Sequence, residues 1–262
     1  MPVIKDQIGF NVDLPAVPKR IVSLVPSQTE LLYDLGLDKE VIGITKFCIH
    51  PNHWKKEKVI VGGTKNLKIE KIISLQPDLI IANKEENTKA QIEHLQNLFP
   101  TYTSDIATIN EALKMIHDIG EILNKKLEAQ KIITNIRRSF QDLQLPSLPK
   151  KVLYLIWKDP YITIGGDTFI HQLIEKLGVE NITGNLKRYP EISIETMQTM
   201  KPDLVFLSSE PYPFKEKHLQ EIKQLLPKSN VILVDGEMFS WYGSRLQHAA
   251  NYLSELYIKI VG

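Results

Sequence analysis

The sequence contains few of the features that identify whole classes of protein. It has one cysteine, Cys48, so an intrachain disulfide is excluded and redox chemistry does not decide the compartment. No apolar run approaches the roughly 18 residues of a membrane-spanning helix. Positive and negative side chains nearly cancel, to a net charge of +1, so charge does not indicate binding to nucleic acid or to an acidic membrane.

Sequence motifs of common enzymes are also missing. The chain has no Gly-x-Ser-x-Gly, no phosphate-binding loop and no Gly-x-Gly-x-x-Gly. Its composition is that of an ordinary globular protein, with 43% hydrophobic and 24% charged residues. A chain of 262 residues can bury a large core and form one large domain or two lobes.

One segment of the chain occurs twice. Residues 69–82 read Ile-Glu-Lys-Ile-Ile-Ser-Leu-Gln-Pro-Asp-Leu-Ile-Ile-Ala, and residues 194–207 read Ile-Glu-Thr-Met-Gln-Thr-Met-Lys-Pro-Asp-Leu-Val-Phe-Leu. The copies align without a gap at an offset of 125 positions (195 − 70). The matched residues are Glu70 and Glu195, Pro77 and Pro202, and Asp78 and Asp203.

Each copy predicts a short helix, a Pro-Asp turn and a buried strand. Apolar residues recur at helical spacing before the proline, and the residue before a proline is disfavoured in the helical conformation. A short apolar run follows and is typical of a strand buried on both faces. A glutamate in the first helical turn stabilises the helix by about 0.3–1 kcal/mol through the helix dipole. This effect alone would explain the presence of either glutamate. Two at equivalent positions favour a paired role at the surface.

The whole chain predicts an α/β fold of two lobes, because strands alternate with helices in each half and imply a parallel sheet there. We expect an N-terminal lobe over residues 1–107 and a C-terminal lobe over residues 146–262. Between them, residues 108–143 have a helical apolar stripe and no proline. About 35 helical residues would span roughly 50 Å. We therefore predict one long, rigid linking helix within residues 108–145, and a long core helix of one domain is the alternative.

The candidate ligand-binding residues lie in the loops that follow the predicted strands, where open parallel sheets bind ligands. Aromatic and basic side chains alternate in this set, which suits a large, flat organic ligand with anionic groups. The predicted ligand-binding residues are Lys46, Phe47, Thr64, Lys65, Asn83, Trp157, Tyr161, Arg188, Tyr189, Glu210, Trp241, Tyr242 and Arg245.

One stretch has side chains that could bind a metal. Cys48, His50 and His53 form the pattern Cys-x-His-x-x-His, and thiolate and imidazole are ligands for zinc or copper. The spacing matches no established metal signature, and His50 precedes Pro51 in a turn. We therefore favour ordinary loop packing and expect no metal site, with these three residues as the only candidates.

The order of these features resembles the class III substrate-binding proteins of ABC importers, the helical-backbone metal receptors. The resemblance covers about residues 5–255 and rests on Arg-Ile-Val-Ser-Leu-Val-Pro-Ser from Arg20, on both Glu…Pro-Asp copies and on the long helical segment between them. It implies two α/β lobes joined by one rigid helix, with cobalamin, a ferric siderophore or haem in the cleft between the lobes. It also implies that Glu70 and Glu195 dock onto arginine pockets of the permease.

The resemblance leaves the identity of the chelate open. Cobalamin-binding members often have tryptophans before each docking glutamate and after the first Pro-Asp strand. In this chain those places hold Thr64 or Lys65, Tyr189 and Asn83. A haem-binding member would need an axial ligand, for which Tyr189 is the candidate.

The resemblance also implies partners and a location. We expect a monomeric binding protein without catalytic activity or an intrinsic cofactor, which binds a metal-organic chelate and an ABC permease and no nucleic acid. Members of the family work in the periplasm or at the membrane surface. The first residues lack the apolar core of a signal peptide, so a cytoplasmic location follows if Met1 is the native start. The alternatives are a metal-dependent enzyme and a cytoplasmic chelate carrier on the same fold.

Overall fold

The computed structural model describes residues 4–262 and divides them into two compact units. Unit 1 contains residues 4–106, 110–137 and 242–247, and unit 2 contains residues 107–109, 138–241 and 248–262. Residues 1–3, where the predicted N-terminal lobe begins, lie outside the described residues.

The first half of the chain builds a five-stranded parallel sheet and six helices. Its strands are β1 (Ile4–Lys5), β2 (Asn11–Val12), β3 (Ile21–Ser23), β4 (Val41–Ile44), β5 (Val59–Ile60), β6 (Leu79–Asn83) and β7 (Thr101–Ser104). Its helices are α1 (Pro26–Asp34), α2 (Trp54–Glu57), α3 (Ile69–Ser74), α4 (Lys89–Gln96), α5 (Ile109–Ile122) and α6 (Lys126–Asp142). The strand order of the sheet is β5-β4-β3-β6-β7, and β1 and β2 form a separate antiparallel pair.

The second half of the chain repeats this architecture. Its strands are β8 (Lys151–Trp157), β9 (Ile162–Thr163), β10 (Glu180–Asn181), β11 (Leu204–Ser208) and β12 (Asn230–Val234). Its helices are α7 (Phe169–Lys176), α8 (Ile194–Met200), α9 (Glu216–Leu225), α10 (Gly236–Ser240) and α11 (Leu246–Val261). The order β10-β8-β11-β12 is parallel throughout, and β9 pairs antiparallel with β8. The predicted α/β class, with a parallel sheet and helices in each half, is confirmed.

Both copies of the repeated segment form the predicted helix, turn and strand. α3 and β6 are the first copy, and α8 and β11 are the second. Ile72 and Met197, which occupy equivalent positions, are both fully buried, each in the hydrophobic core beside its own sheet. The helices end before each proline as predicted, and Gln76 and Lys201, which precede the prolines, have left-handed φ angles of 44° and 50°.

The aspartate after each proline holds the beginning of the neighbouring strand. Asp78 accepts hydrogen bonds from the backbone N–H groups of Lys19 (2.7 Å) and Arg20 (2.8 Å), next to the start of β3. Asp203 accepts one from the N–H of Lys151 (2.7 Å), the first residue of β8. A charged acceptor makes these hydrogen bonds stronger than neutral ones. The Pro-Asp pair therefore connects β3 to β6 in unit 1 and β8 to β11 in unit 2.

The prediction of one long linking helix is wrong. Residues 108–145 form two helices, α5 and α6, and the chain changes direction at Asn124, whose φ angle is 54°. The N–H of Asn124 bonds the carbonyl of Glu121, and the N–H of Lys125 bonds the carbonyl of Gly120. These two hydrogen bonds, together with the left-handed conformation of Asn124, form a Schellman motif, which ends α5.

Glycine at position 120 allows the second helix to approach the first. A Cβ atom on Gly120 would lie 2.4 Å from the Cβ of Ala129, in the first turns of α6. The two helices therefore contact each other directly, and most of both belongs to unit 1. No helix within residues 4–262 has both the length and the apolar character to cross a bilayer.

The hydrogen bonds of Asp78 predict a measurable loss of stability on its removal. We expect Asp78→Ala to lower the free energy of unfolding by about 1–2 kcal/mol, because two backbone donors lose a charged acceptor. Asp203→Ala should cost less, since only one donor is affected. Urea denaturation measures both, with Asp13→Ala as the control at an exposed aspartate. Equal midpoints for Asp78→Ala and Asp13→Ala would contradict this prediction.

Candidate functional site

The carboxyl edge of the unit 1 sheet is a network of buried polar groups. Asn83, at the end of β6, is 1% exposed and donates to the backbone and hydroxyl oxygens of Ser104 at 3.1 and 3.0 Å. Its side-chain oxygen accepts from the N–H groups of Glu85 (2.8 Å) and Glu86 (3.0 Å). Asn83, a predicted ligand-binding residue, therefore uses its polar atoms to shape the loop after β6.

The loop after β4 presents an exposed aromatic ring and a cation at this edge. Phe47 is 50% exposed, and the Lys46 ammonium lies 4.9 Å from the centre of its ring. A Cβ atom on Gly63 would lie 3.1 Å from the Phe47 ring, so a glycine there leaves room for it. Lys46 and Phe47 are thus both near the end of the sheet and accessible.

The loop before α3 contributes a second cation. Lys65 is exposed, and its ammonium donates to the backbone carbonyl of Glu85. Thr64 is mostly buried, and its carbonyl accepts from the side chain of Asn87 at 3.0 Å. Burial raises the pKa of the Glu86 carboxyl, and the positive charge of Lys65 opposes that rise. Both residues of this loop were predicted to bind the ligand. Lys65 presents a positive charge at the surface, whereas Thr64 is held inside the loop by the hydrogen bond to its carbonyl.

Arg245, predicted as a cation for the ligand, has an acidic partner within unit 1. Its Nε and Nη2 atoms donate to the two carboxylate oxygens of Glu30 at 2.9 and 2.6 Å. Two parallel hydrogen bonds of this kind are the strongest arrangement for an arginine and a carboxylate. Tyr242, another predicted residue of the same segment, is 7% exposed. This segment contacts α1, because a Cβ on Gly243 would lie 2.4 Å from the Ser27 carbonyl oxygen.

Unit 2 gathers aromatic side chains after the ends of β8 and β11. Trp157, which is 39% exposed, lies edge to face with Tyr212 at 5.6 Å between ring centres, and Tyr212 lies 4.8 Å from Phe214. Tyr161, also predicted, is half-buried, and burial raises the pKa of its phenol. Lys158 forms an ion pair with Glu221 beside this cluster. The structure therefore brings Trp157 into an aromatic group with Tyr212 and Phe214.

His218 is a member of this group that the sequence analysis missed. Its Nδ1 accepts from the backbone N–H of Lys215 at 2.9 Å, so the ring proton is on Nε2, 3.3 Å from the Tyr212 hydroxyl. Burial, followed by the charge of Lys217, lowers the pKa of His218. Its place in the first turn of α9 was the available signal, because a side chain there can reach back to the cap residue.

Glu210 and Trp241, both predicted ligand residues, contact each other. The Trp241 indole N–H donates to Glu210 Oε1 at 2.8 Å, and the Ser240 hydroxyl donates to the same oxygen at 2.6 Å. Trp241 is 5% exposed. A Cβ on Gly236 would lie 2.6 Å from Glu210 Cγ, so the carboxylate side chain is closely packed. This pair fixes the loops after β11 and β12 to each other.

Arg188 and Tyr189 lie together in the loop before α8. The Arg188 guanidinium carbon is 5.7 Å from the centre of the Tyr189 ring, and both side chains are exposed. Arg188 has a left-handed φ of 60°, and its N–H donates to Asp167 Oδ1 at 2.5 Å. The loop therefore presents a cation and an aromatic ring side by side.

The structure does not bring Cys48, His50 and His53 together as a metal-binding group. Cys48 is fully buried, and its sulfur lies 3.0 Å from the Thr29 hydroxyl and 3.2 Å from the Thr45 hydroxyl. Burial raises the pKa of this thiol, which disfavours the thiolate that metals require. His53 is exposed and lies in a different cluster, described below.

The two repeated glutamates are both exposed. Glu70 is in the first turn of α3, and Glu195 is in the first turn of α8. Hydrogen bonds from its own backbone N–H and from the Ser193 hydroxyl lower the pKa of Glu195. Each unit thus presents an acidic side chain to solvent at the same place in the repeated segment.

The buried His218 predicts a pH dependence of stability. Because the folded pKa is below the unfolded value of about 6.5, the unfolded state binds the proton first as the pH falls. We therefore expect full stability above about pH 6.5 and a progressive loss below it. His218→Asn, which keeps an acceptor near the Nδ1 position, should weaken this dependence, as followed by urea midpoints between about pH 5 and 8. The exposed His94→Asn variant is the control, and parallel profiles for His218→Asn and wild type would rule the prediction out.

Comparison with known proteins places this sequence in a family. Residues 21–226 match the family model described as periplasmic binding protein. An uncharacterized ABC transporter substrate-binding lipoprotein, YvrC, of Bacillus subtilis is 30% identical over 77% of this chain and 67% of its own length. The vitamin B12-binding protein of Vibrio vulnificus strain CMCP6 is 33% identical over 76% of this chain and 75% of its own length.

A solved structure agrees with the fold. The crystal structure of a possible iron-binding, periplasmic solute-binding protein from Staphylococcus epidermidis superposes with a TM-score of 0.75 and 24% identity, over 94% of this chain and all of the other. At this identity the likeness supports the architecture alone. The family model, in contrast, spans β3 to the end of α9, which includes both repeated segments. The chain belongs to the periplasmic binding protein family.

Proposed function

We propose that this chain is the substrate-binding component of an ABC importer and that its ligand is a metal chelate, such as a ferric siderophore, haem or a corrinoid. The observation that carries the proposal is the match to the vitamin B12-binding protein of Vibrio vulnificus over three quarters of both chains. The B. subtilis relative, named as an ABC transporter substrate-binding lipoprotein, supports the same role. The chain would then work in the periplasm or at the membrane surface.

The side chains at the carboxyl edges of the two sheets support a large anionic chelate as the ligand. Unit 1 presents Lys46, Phe47 and Lys65 there, and unit 2 presents Trp157 with Tyr212. Aromatic faces bind planar organic groups, and ammonium groups bind carboxylates or phosphates. Tyr161, Arg188 and Tyr189 complete the proposed set of contacts. The other predicted residues make contacts within the protein that shape the loops, and we assign them a supporting role. They are Thr64, Asn83, Glu210, Trp241, Tyr242 and Arg245.

The exposed glutamates support docking to a permease. To deliver its ligand, the binding protein must dock onto the permease. If the permease binds both halves of the protein, each half must provide a docking residue. Glu70 and Glu195 meet that requirement, since they are 125 positions apart (195 − 70) in equivalent helices. Carboxylates of this kind pair well with arginines, which bind them through two hydrogen bonds.

Binding without catalysis is the third part of the proposal. The residues predicted for an enzymatic metal, Cys48, His50 and His53, are not gathered in one cluster within residues 4–262. The family consists of binding proteins. We infer that the chain has no chemistry of its own and no resident cofactor, and that it acts as a monomer. Metal analysis checks this, because a stoichiometric metal without an organic chelate that is lost when Cys48 or His50 is replaced would favour the enzyme.

The docking role predicts a separation between binding and transport. We expect the Glu70→Ala, Glu195→Ala double variant to bind its chelate with unchanged affinity and to support little or no uptake into cells. Glu128→Ala, Glu216→Ala is the matched control, because both of these exposed glutamates are also in first helical turns. Normal uptake by the first double variant, measured with radiolabelled chelate, would refute the docking role.

The ligand class predicts a selective thermal shift. A ligand that binds only the folded protein raises its stability by about 2.7 kcal/mol at a concentration 100 times the Kd. We therefore expect a rise in Tm with one or more of haem, ferric siderophores and cobalamin, and none with the iron-free siderophores or with free amino acids. Replacement of Trp157 by Ala should reduce the shift, whereas replacement of the surface residue Tyr33 should not. A screen in which no chelate raises Tm contradicts the proposal.

A further inference from the structure

Three metal-ligating side chains come together at the amino edge of the unit 1 sheet. Asp38 lies in the loop that leads into β4, His53 precedes α2, and Glu57 is the last residue of α2. One ligand atom from each of the three lies within 4.8 Å of the others. All three side chains are exposed, and no other group of three such residues within 4–262 meets this distance.

We propose that Asp38, His53 and Glu57 form a surface site for a divalent transition-metal ion, with Zn²⁺ as the best match. One imidazole nitrogen and two carboxylate oxygens are ligands that zinc accepts, and water can complete a tetrahedral shell. Three ligands at about 2.1 Å from one zinc ion lie about 3.4 Å from each other. The ligand atoms, which lie within 4.8 Å of one another, must therefore move closer when the metal binds.

The arrangement of His53 and Glu57 follows from their spacing. They are four residues apart across one helical turn, which places their side chains on the same face. The His53 ring also lies edge to face with Tyr33, 5.7 Å between centres, which limits its orientations. Two of the three ligands are therefore set by the local backbone of one short segment.

Asp38 is held in place by a residue that is not itself a ligand. The indole N–H of Trp54, a fully buried side chain, donates to Asp38 Oδ1 at 2.5 Å. This hydrogen bond fixes the orientation of the Asp38 carboxylate. Metal ligands commonly have such a supporting hydrogen bond, which fixes their orientation.

The positive charge of Lys58 disfavours the binding of a metal cation at this site. Its ammonium lies 3.4 Å from Asp38 Oδ1 and 4.9 Å from the centre of the Trp54 ring. A positive charge so close weakens the binding of a cation, so we expect modest affinity. It also gives a distinctive test, because removal of the lysine charge should strengthen metal binding.

The site is separate from the proposed chelate contacts. In a parallel sheet the amino ends of all strands share one edge and the carboxyl ends share the other. Asp38 and Glu57 precede β4 and β5, whereas Lys46, Phe47 and Lys65 follow the carboxyl ends of these strands. The inference goes beyond the proposed function, and neither depends on the other.

Calorimetric titration of the metal-free protein with Zn²⁺ tests the site. We expect His53→Ala and Glu57→Gln to raise the Kd about tenfold or more, because each removes a ligand. His94→Ala, an exposed histidine on α4, should leave the Kd unchanged, and Lys58→Met should lower it. A wild-type protein that does not bind Zn²⁺, or an equal Kd for wild type, His53→Ala and Glu57→Gln, would overturn the proposal.

A second readout locates the ion without replacing any of the three proposed ligands. The chain has three tryptophans, Trp54, Trp157 and Trp241, and each gives one indole N–H signal in an NMR spectrum. Co²⁺, which is paramagnetic and shares ligands with Zn²⁺, should broaden or shift the Trp54 signal most strongly. Trp54→Phe assigns that signal. Equal effects on all three indole signals, or none, would place the ion elsewhere and refute the site.

Discussion

The carboxylate that follows each proline is the constraint on which the two sheets depend. Asp78 and Asp203 accept hydrogen bonds from the backbone where a neighbouring parallel strand begins, and parallel strands have no short turn between them to set their register. Once that register is set, the strands end at a common edge. The helix before each proline has its exposed glutamate in the first turn.

The side chains at the carboxyl edges divide into two groups by what they contact. Arg245, Trp241 and Asn83 are engaged by partners of the protein itself, and those contacts fix the loops. Lys46, Phe47 and Trp157, in contrast, remain exposed. Within each unit the engaged side chains order the loops, and the exposed side chains are the ones that a ligand can reach.

The sequence alone was sufficient for the repeated segments and for the fold class, because both follow from local periodicity and from the proline. It was not sufficient for the ending of α5. A left-handed asparagine at Asn124 and a close contact at Gly120 interrupt a helical apolar stripe that continues on both sides. Asparagine was the available signal, because it tolerates the left-handed conformation, but it also occurs within helices and so does not by itself predict an ending.

The contacts within the candidate site could not be predicted from the sequence, for a different reason. Arg245 and its partner Glu30 are 215 residues apart, and no pattern in the chain connects them. His53 was visible as a possible ligand, but Asp38 joins it only through the fold. Local rules therefore identified residue types and their neighbourhood, while the pairing of charges required the tertiary structure.

The origin of unit 1 from three separate stretches has a consequence for fragments of the protein. Its last stretch, residues 242–247, carries Arg245, which pairs with the partly buried Glu30 of α1. A fragment that stops before residue 242 therefore lacks a part of unit 1, and Glu30 loses the guanidinium that binds both of its carboxylate oxygens. A cut between the two halves of the sequence thus does not coincide with the boundary between the two units.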